Sequence, residues 1–140
     1  MPPTEGNAVI DGYDVVKNPL EVKKITGYLP EDNPLWEDLT PMEYLKFCGK
    51  IRGMSERKIA RRINDVAGVC GISNVLIQQI STLSKGYRQR VGLAQAIIHD
   101  PPTLIMDEPT SGLDPNQKSE MRNLIKELGK EKTIILSTHI

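Results

Sequence analysis

The spacing of apolar residues changes along this chain, and each change predicts a different kind of element. NAVIDGYDV, residues 7–15, alternates apolar and polar positions around Asp11-Gly12. That pattern predicts a β-hairpin of two short strands. VKKITGYLP, residues 22–30, predicts a further short strand that stops at Pro30. EDNPLWEDLTP follows, dense in Pro, Asp and Asn, and predicts a loop.

From Pro41 to about Ile98 the period becomes helical. Met42, Leu45, Cys48 and Ile51 predict the apolar stripe of one helix, ended by Gly53. Ser55 is an N-cap candidate for a second helix, with Ile59, Ile63 and Val66 on its apolar face and Gly68 and Gly71 at its end. ISNVLIQQI is a short apolar connection. A third helix starts at Ser84, carries Val91, Ala94, Ile97 and Ile98 in one stripe, and stops at Asp100-Pro101-Pro102.

The last part of the chain reads as strand, helix, strand. TLIMDE, residues 103–108, is an unbroken apolar run with two acids at its tip, which predicts a buried parallel strand. Asp114, Pro115 and Gln117 spell a helix start with a capping box, and Met121, Leu124, Ile125 and Leu128 give that helix an apolar face ending near Gly129. TIILSTH predicts a second buried strand. The unit implies a right-handed parallel crossover, and ligands of such sheets bind beyond the C-terminal strand ends. Asp107, Glu108 and His139 fall there.

Composition narrows the class without choosing a function. The chain has 140 residues, enough for one domain. Its 18 basic and 18 acidic residues cancel, so charge supplies no argument for a nucleic-acid partner or an anionic surface. No apolar run approaches the roughly 18–20 residues of a membrane span, and MPPTEGN has neither the basic nor the apolar region of a secretory signal. Cys48 and Cys70 lack a CxxC pattern and read as reduced, buried thiols.

Three pieces carry candidate chemistry. Asp107 and Glu108 are adjacent in extended chain, so their side chains diverge and can do two jobs. In a nucleotide site Asp107 would hold Mg²⁺ through its water shell and Glu108 would act on the attacking water. The bland alternative is an ordinary salt bridge at a strand tip. In LSKGYRQRV, Ser84 caps a helix start and Gly86 would let a phosphate approach exposed N–H groups; the alternative is a plain capped helix. PTSGLDP can be merely a turn and a cap, and His139 a structural histidine. His99 reads as structural.

Their order and spacing decide among these. From Ser81 onward the chain strongly resembles the nucleotide-binding subunit of ATP-binding-cassette transporters: LSKGYRQR looks like the signature, LIMDE like Walker B, SGLD like the D-loop and STH like the histidine switch. Upstream, GYLPEDNPLWEDLTPMEYL resembles the Q-loop and the entry to the helical subdomain, and the wording is most similar to export and gliding-motility-type subfamilies. The resemblance implies an α/β fold, a partial P-loop-NTPase-type sheet with an inserted α-helical subdomain. It divides the chain into an N-terminal β segment and Q-loop region (1–38), a helical subdomain with the signature (39–98), and a Walker B, D-loop and H-switch segment (99–140). It implies ATP and Mg²⁺ as cofactors, Glu108 and His139 as catalytic, Ser84, Lys85, Gly86 and Asp114 as nucleotide-binding, and Asp107 and Glu31 at the metal. It implies as partners a second nucleotide-binding subunit, head to tail, and transmembrane permease subunits, with no nucleic acid. The location implied is cytoplasmic, peripheral at the inner face of the cell membrane. Two other roles fit the same motifs: a module that only docks onto the permease, and a soluble cassette ATPase.

The sequence departs from the family pattern at Lys85, where the signature usually has Gly, at Tyr87, where Gln is usual, and at Glu31, where the Q-loop has Gln. Lys85 is expected to offset the charge of Glu31 across a dimer interface. No G-x-x-x-x-G-K-[S/T] cradle occurs in the 140 residues. The expectation is therefore a piece of a longer subunit, lacking the P-loop, the adenine-stacking strands and the C-terminal end, and inactive alone.

Overall fold

The structure, a computed structural model, describes residues 9–10, 13–14, 19–32 and 35–137. Strands β1 (Val9–Ile10) and β2 (Tyr13–Asp14) pair antiparallel as the alternation predicts; the turn at 11–12 lies outside the described residues.

Helix α1 (Pro19–Ile25) corrects the next expectation, because Val22–Ile25 is helical and only β3 (Thr26–Leu29) is extended. The local chemistry suits a helix start. Pro19 stands at the first position, Glu21 in the first turn and Lys23 and Lys24 in the last, each matched to the helix dipole.

The loop then delivers the chain to α2 (Pro41–Ile51), whose capping box joins Thr40 and Glu43. Its buried face is Pro41, Tyr44, Leu45 and Gly49, while Ile51 is 68% exposed. The expected stripe of every third residue fails for a geometric reason. Nine residues at 3.6 per turn rotate by about 180°, so Ile51 points away from Met42. Helix α3 (Glu56–Cys70) buries Ile59, Ile63 and Val66 as expected, continues through Gly68, and ends where Gly71 takes φ 69°. Gly49 lets α2 and α3 touch, since a Cβ there would lie 2.7 Å from Ile59.

Two 3₁₀ turns, Ser73–Val75 and Ile80–Thr82, lead to α4 (Lys85–Ile97). This helix is buried on more than one stripe, with Val91, Gly92, Leu93, Ala94, Ala96 and Ile97 all inside. It packs against α2, α3 and β3. Strand β4 (Thr103–Asp107) follows, then α5 (Pro115–Leu128) and β5 (Thr133–Ser137).

The sheet order is β3-β4-β5, all parallel, with Leu29 opposite Met106 and Asp107 opposite Ser137. Leu104 and Met106 are fully buried, as the apolar run of β4 requires. Strand β5 departs from expectation. Among the described residues it pairs with β4 alone, and Ile135 and Leu136 are 45% and 50% exposed. An apolar sequence sits there on an edge. Among the described residues no helix is long and apolar enough to cross a membrane.

Candidate functional site

Four short segments meet at the C-terminal end of the sheet: the loop after β3, the start of α4, the tip of β4, and the turn leading into α5. Asp107 closes β4, and its Oδ1 is buried without a hydrogen-bond partner in the structure. A buried carboxylate oxygen left unsatisfied is costly, and a hydrated cation would satisfy it. Among the described residues no three His, Cys, Asp or Glu side chains are grouped to hold a metal.

Glu108 leaves the strand with φ 46°, in the left-handed region that a glutamate adopts at a cost. Its N–H donates to Ser137 O at 2.9 Å, and its carbonyl accepts from the N–H of Ser111 at 3.1 Å. Adjacent acids thus stand on differently shaped backbone, one extended and one turned. Glu31 faces the same turn, and Ser111 Oγ donates to its Oε1 at 3.5 Å, the long limit of such a bond.

At the start of α4, Ser84 Oγ accepts from the N–H of Tyr87, as its N-cap position predicts. Gly86 is buried, and a Cβ there would meet the amide of Gln117 at 2.8 Å. Close packing of α4 on α5 therefore accounts for this glycine within the chain. Lys85 lies along Gly112, which has φ 73°, so a Cβ there would displace the far end of the lysine side chain. Asp114 caps α5, its Oδ1 accepting from the N–H of Gln117 at 2.8 Å, while Gln117 Oε1 accepts from Asp114 N–H.

Lys85 and Glu31 line one open cavity of about 400 Å³, together with Asp32, Glu37, Arg88 and Gln89. The two substituted positions thus line one cavity within the chain. A second cavity of about 440 Å³ is lined by Ser84, Gly86, Tyr87, Arg90, Gln117 and Glu120. His139 lies outside the described residues. Sequence reading missed Gln89, which is buried and donates through Nε2 to Pro109 O at 2.9 Å. The signal was present: a polar residue three and four positions from Gly86, Gly92 and Leu93, on the side of α4 that is buried.

The other titratable groups of note lie away from this site. Burial pushes the Cys70 thiol up to about 12, so it is an inert core residue, and both cysteines are free. His99 sits at the other end of α4, its Nε2 3.0 Å from Thr26 O.

The family model for the ABC transporter matches residues 1–111. This chain belongs to the ABC transporter ATP-binding family. The ABC transporter ATP-binding protein NatA of Bacillus subtilis is 37% identical over 142 residues, which cover all of this chain and 58% of that protein. The ABC transporter A family member 8 of Dictyostelium discoideum is 41% identical over 137 residues, covering 98% of this chain and 16% of that protein. A solved structure of the ATP-binding subunit of an ABC transporter superposes with a TM-score of 0.77 at 33% identity, over the whole chain and 59% of its own. The ABC chain thus spans little more than half of the bacterial relative and a small part of the larger one. The parallel sheet, the α4 start and the Asp107-Glu108 tip accordingly carry the ABC ATPase fold.

Proposed function

We propose that this chain forms part of the MgATP-hydrolysing motor of an ABC transporter, working in export. The observation that carries the reading is the tip of β4. Asp107 presents a buried, unsatisfied oxygen, and Glu108 turns away from it on left-handed backbone.

In that reading Asp107 and Glu31 hold Mg²⁺ through water, and the ion supplies charge neutralisation for the phosphates. Glu108 accepts the proton of the attacking water. Ser84, Lys85 and the N–H groups around Gly86 face the γ-phosphate bound by a second subunit in a head-to-tail dimer. Asp114 shapes the turn that borders it, and His139 is a further catalytic residue. These 140 residues hold no phosphate cradle, so the chain alone is read as inactive. Its working location is the inner face of the membrane, against transmembrane subunits.

The exposed pair Trp36 and Phe47, with ring centroids 4.4 Å apart, supports the membrane-subunit part of the proposal. It joins the loop after β3 to α2 and offers an apolar seat beside the cavity.

The test is Glu108→Gln in a subunit that holds the whole nucleotide site. ATP binding is expected to persist and turnover to disappear, because the shape stays while the basic oxygen is lost. Turnover at the unmodified rate would overturn the assignment.

A further inference from the structure

The geometry points to Gln89 as the positioning residue that holds Glu108 in its left-handed conformation; this rests on the reading of Glu108 as the hydrolytic carboxylate. Gln89 is 7% exposed, on the face of α4 that also buries Gly86, Gly92 and Leu93. A primary amide in such a place needs a partner. Its Nε2 donates to the carbonyl of Pro109, the residue after Glu108.

Three consecutive anchors then fix the turn. Glu108 N–H is held by Ser137 O, Glu108 O by Ser111 N–H, and Pro109 O by Gln89. The first two anchors belong to the sheet and to the turn itself. Only the third comes from α4, five residues beyond the N-cap Ser84. Glu108 has φ 46°, a conformation that relaxes unless its surroundings hold it. Without the Gln89 bond the Pro109–Thr110 peptide is released, the turn after Glu108 loses its tie to α4, and the strained Glu108 backbone relaxes more readily, moving its carboxylate. The Gln89 side chain also lines the cavity that contains Glu31 and Lys85. A shift of α4 about its start is therefore transmitted through one amide to the base of the reaction. Gln89 itself touches no reacting atom.

The experiment has a structural arm and a kinetic arm. In the chain itself, amide exchange at Ser111 and Glu108 is measured for Gln89→Met, which keeps the length and loses the donor. Exchange at both amides is expected to quicken by about tenfold while the amides of α3 stay unchanged. Gln89→Glu serves as the second variant. Ionised, it cannot donate; protonated, it can. Protection relative to the unmodified chain at the same pH is expected to return as the pH falls.

In the subunit holding the whole site, kcat of Gln89→Met is expected to fall about tenfold with KM for ATP unchanged, the pattern of a lost transition-state contribution. Exchange at Ser111 unaffected by both variants would overturn the proposal. So would faster exchange with unchanged kcat, provided Glu108→Gln abolishes turnover. If Glu108→Gln leaves turnover intact while exchange responds to Gln89, the positioning stands and the reading of Glu108 falls.

Discussion

Lys85 lies directly along Gly112, so that any side chain at position 112 would occupy the space of the lysine. The glycine also has φ 73°. Gly112→Ala therefore meets two penalties, a left-handed backbone costing about 1–2 kcal/mol and a displaced Lys85. Shortening Lys85 to Ala relieves the second and not the first. In a denaturant double-mutant cycle, Lys85→Ala is expected to recover part of the loss caused by Gly112→Ala. Strict additivity would show that the two side chains do not compete.

Acid stability should follow His99. Burial first, then the positive charges of Arg52, Lys132 and Arg62, hold it down to about 4, against a Thr26 carbonyl bond that raises it. Its folded value lies below the ordinary 6.5, so the unfolded chain binds more protons between those two values. The stabilisation is complete above pH 6.5 and is lost progressively as pH falls toward 4. Asp100, lowered by its hydrogen bond from Lys132, adds a loss of the same sign only below its ordinary value of 3.8. Urea midpoints at pH 7 and pH 5 are expected to differ in the unmodified chain and to converge in His99→Gln. An equal drop in both proteins would place the acid sensitivity elsewhere.

The aromatic pair on the surface gives a third expectation. Trp36 is 52% exposed and Phe47 36% exposed, so their stacking adds little to folding. Trp36→Ala should cost no more than about 1 kcal/mol in stability. Co-purification with the transmembrane subunits should nevertheless fall sharply. Undiminished recovery of the complex would remove this face from the proposed contact.

Strand β5 gives a fourth. Its apolar side chains Ile135 and Leu136 are half-exposed on an edge, a pattern that invites strand pairing between copies. Sedimentation of the 140-residue chain should show association that grows with concentration, reduced in Ile135→Lys. A strict monomer across the whole range would mean that this edge is covered in solution.

Nucleotide affinity is the fifth. These 140 residues contain no glycine-rich cradle with its lysine, and that cradle makes most phosphate contacts in such sites. Calorimetry of this chain with MgATP should show no saturable heat up to about 1 mM, a binding free energy of about −4 kcal/mol. Micromolar binding would contradict the expectation.

Local chemistry was legible in the sequence, and long-range chemistry was not. Ser55, Ser84 and Asp114 cap their helices as read, because an N-cap bond spans three residues. The tip of β4 was legible for a similar reason, its burial pattern and acids lying in one run. Ile51 misled because a three-residue repeat drifts around a helix. Val22–Ile25 misled because a seven-residue helix with nothing buried leaves no apolar stripe to read. The exposure of β5 depends on what lies beside it, which its own letters do not encode. The approach of Lys85 to Gly112, and the bond from Gln89 to Pro109 twenty residues away, exist only once the chain has turned back on itself.

Helix α4 grips main-chain carbonyls of other segments at three points along its length: Gln89 on Pro109, Gln95 on Tyr28, and His99, just past its end, on Thr26. Arg62 of α3 in turn grips the last carbonyls of α4, at Ile97 and Ile98. The helical layer and the sheet are thereby fastened to each other through side chains on main-chain carbonyls, by a route separate from the loop at 35–40. Helix α4 works as a tie rod between the two layers.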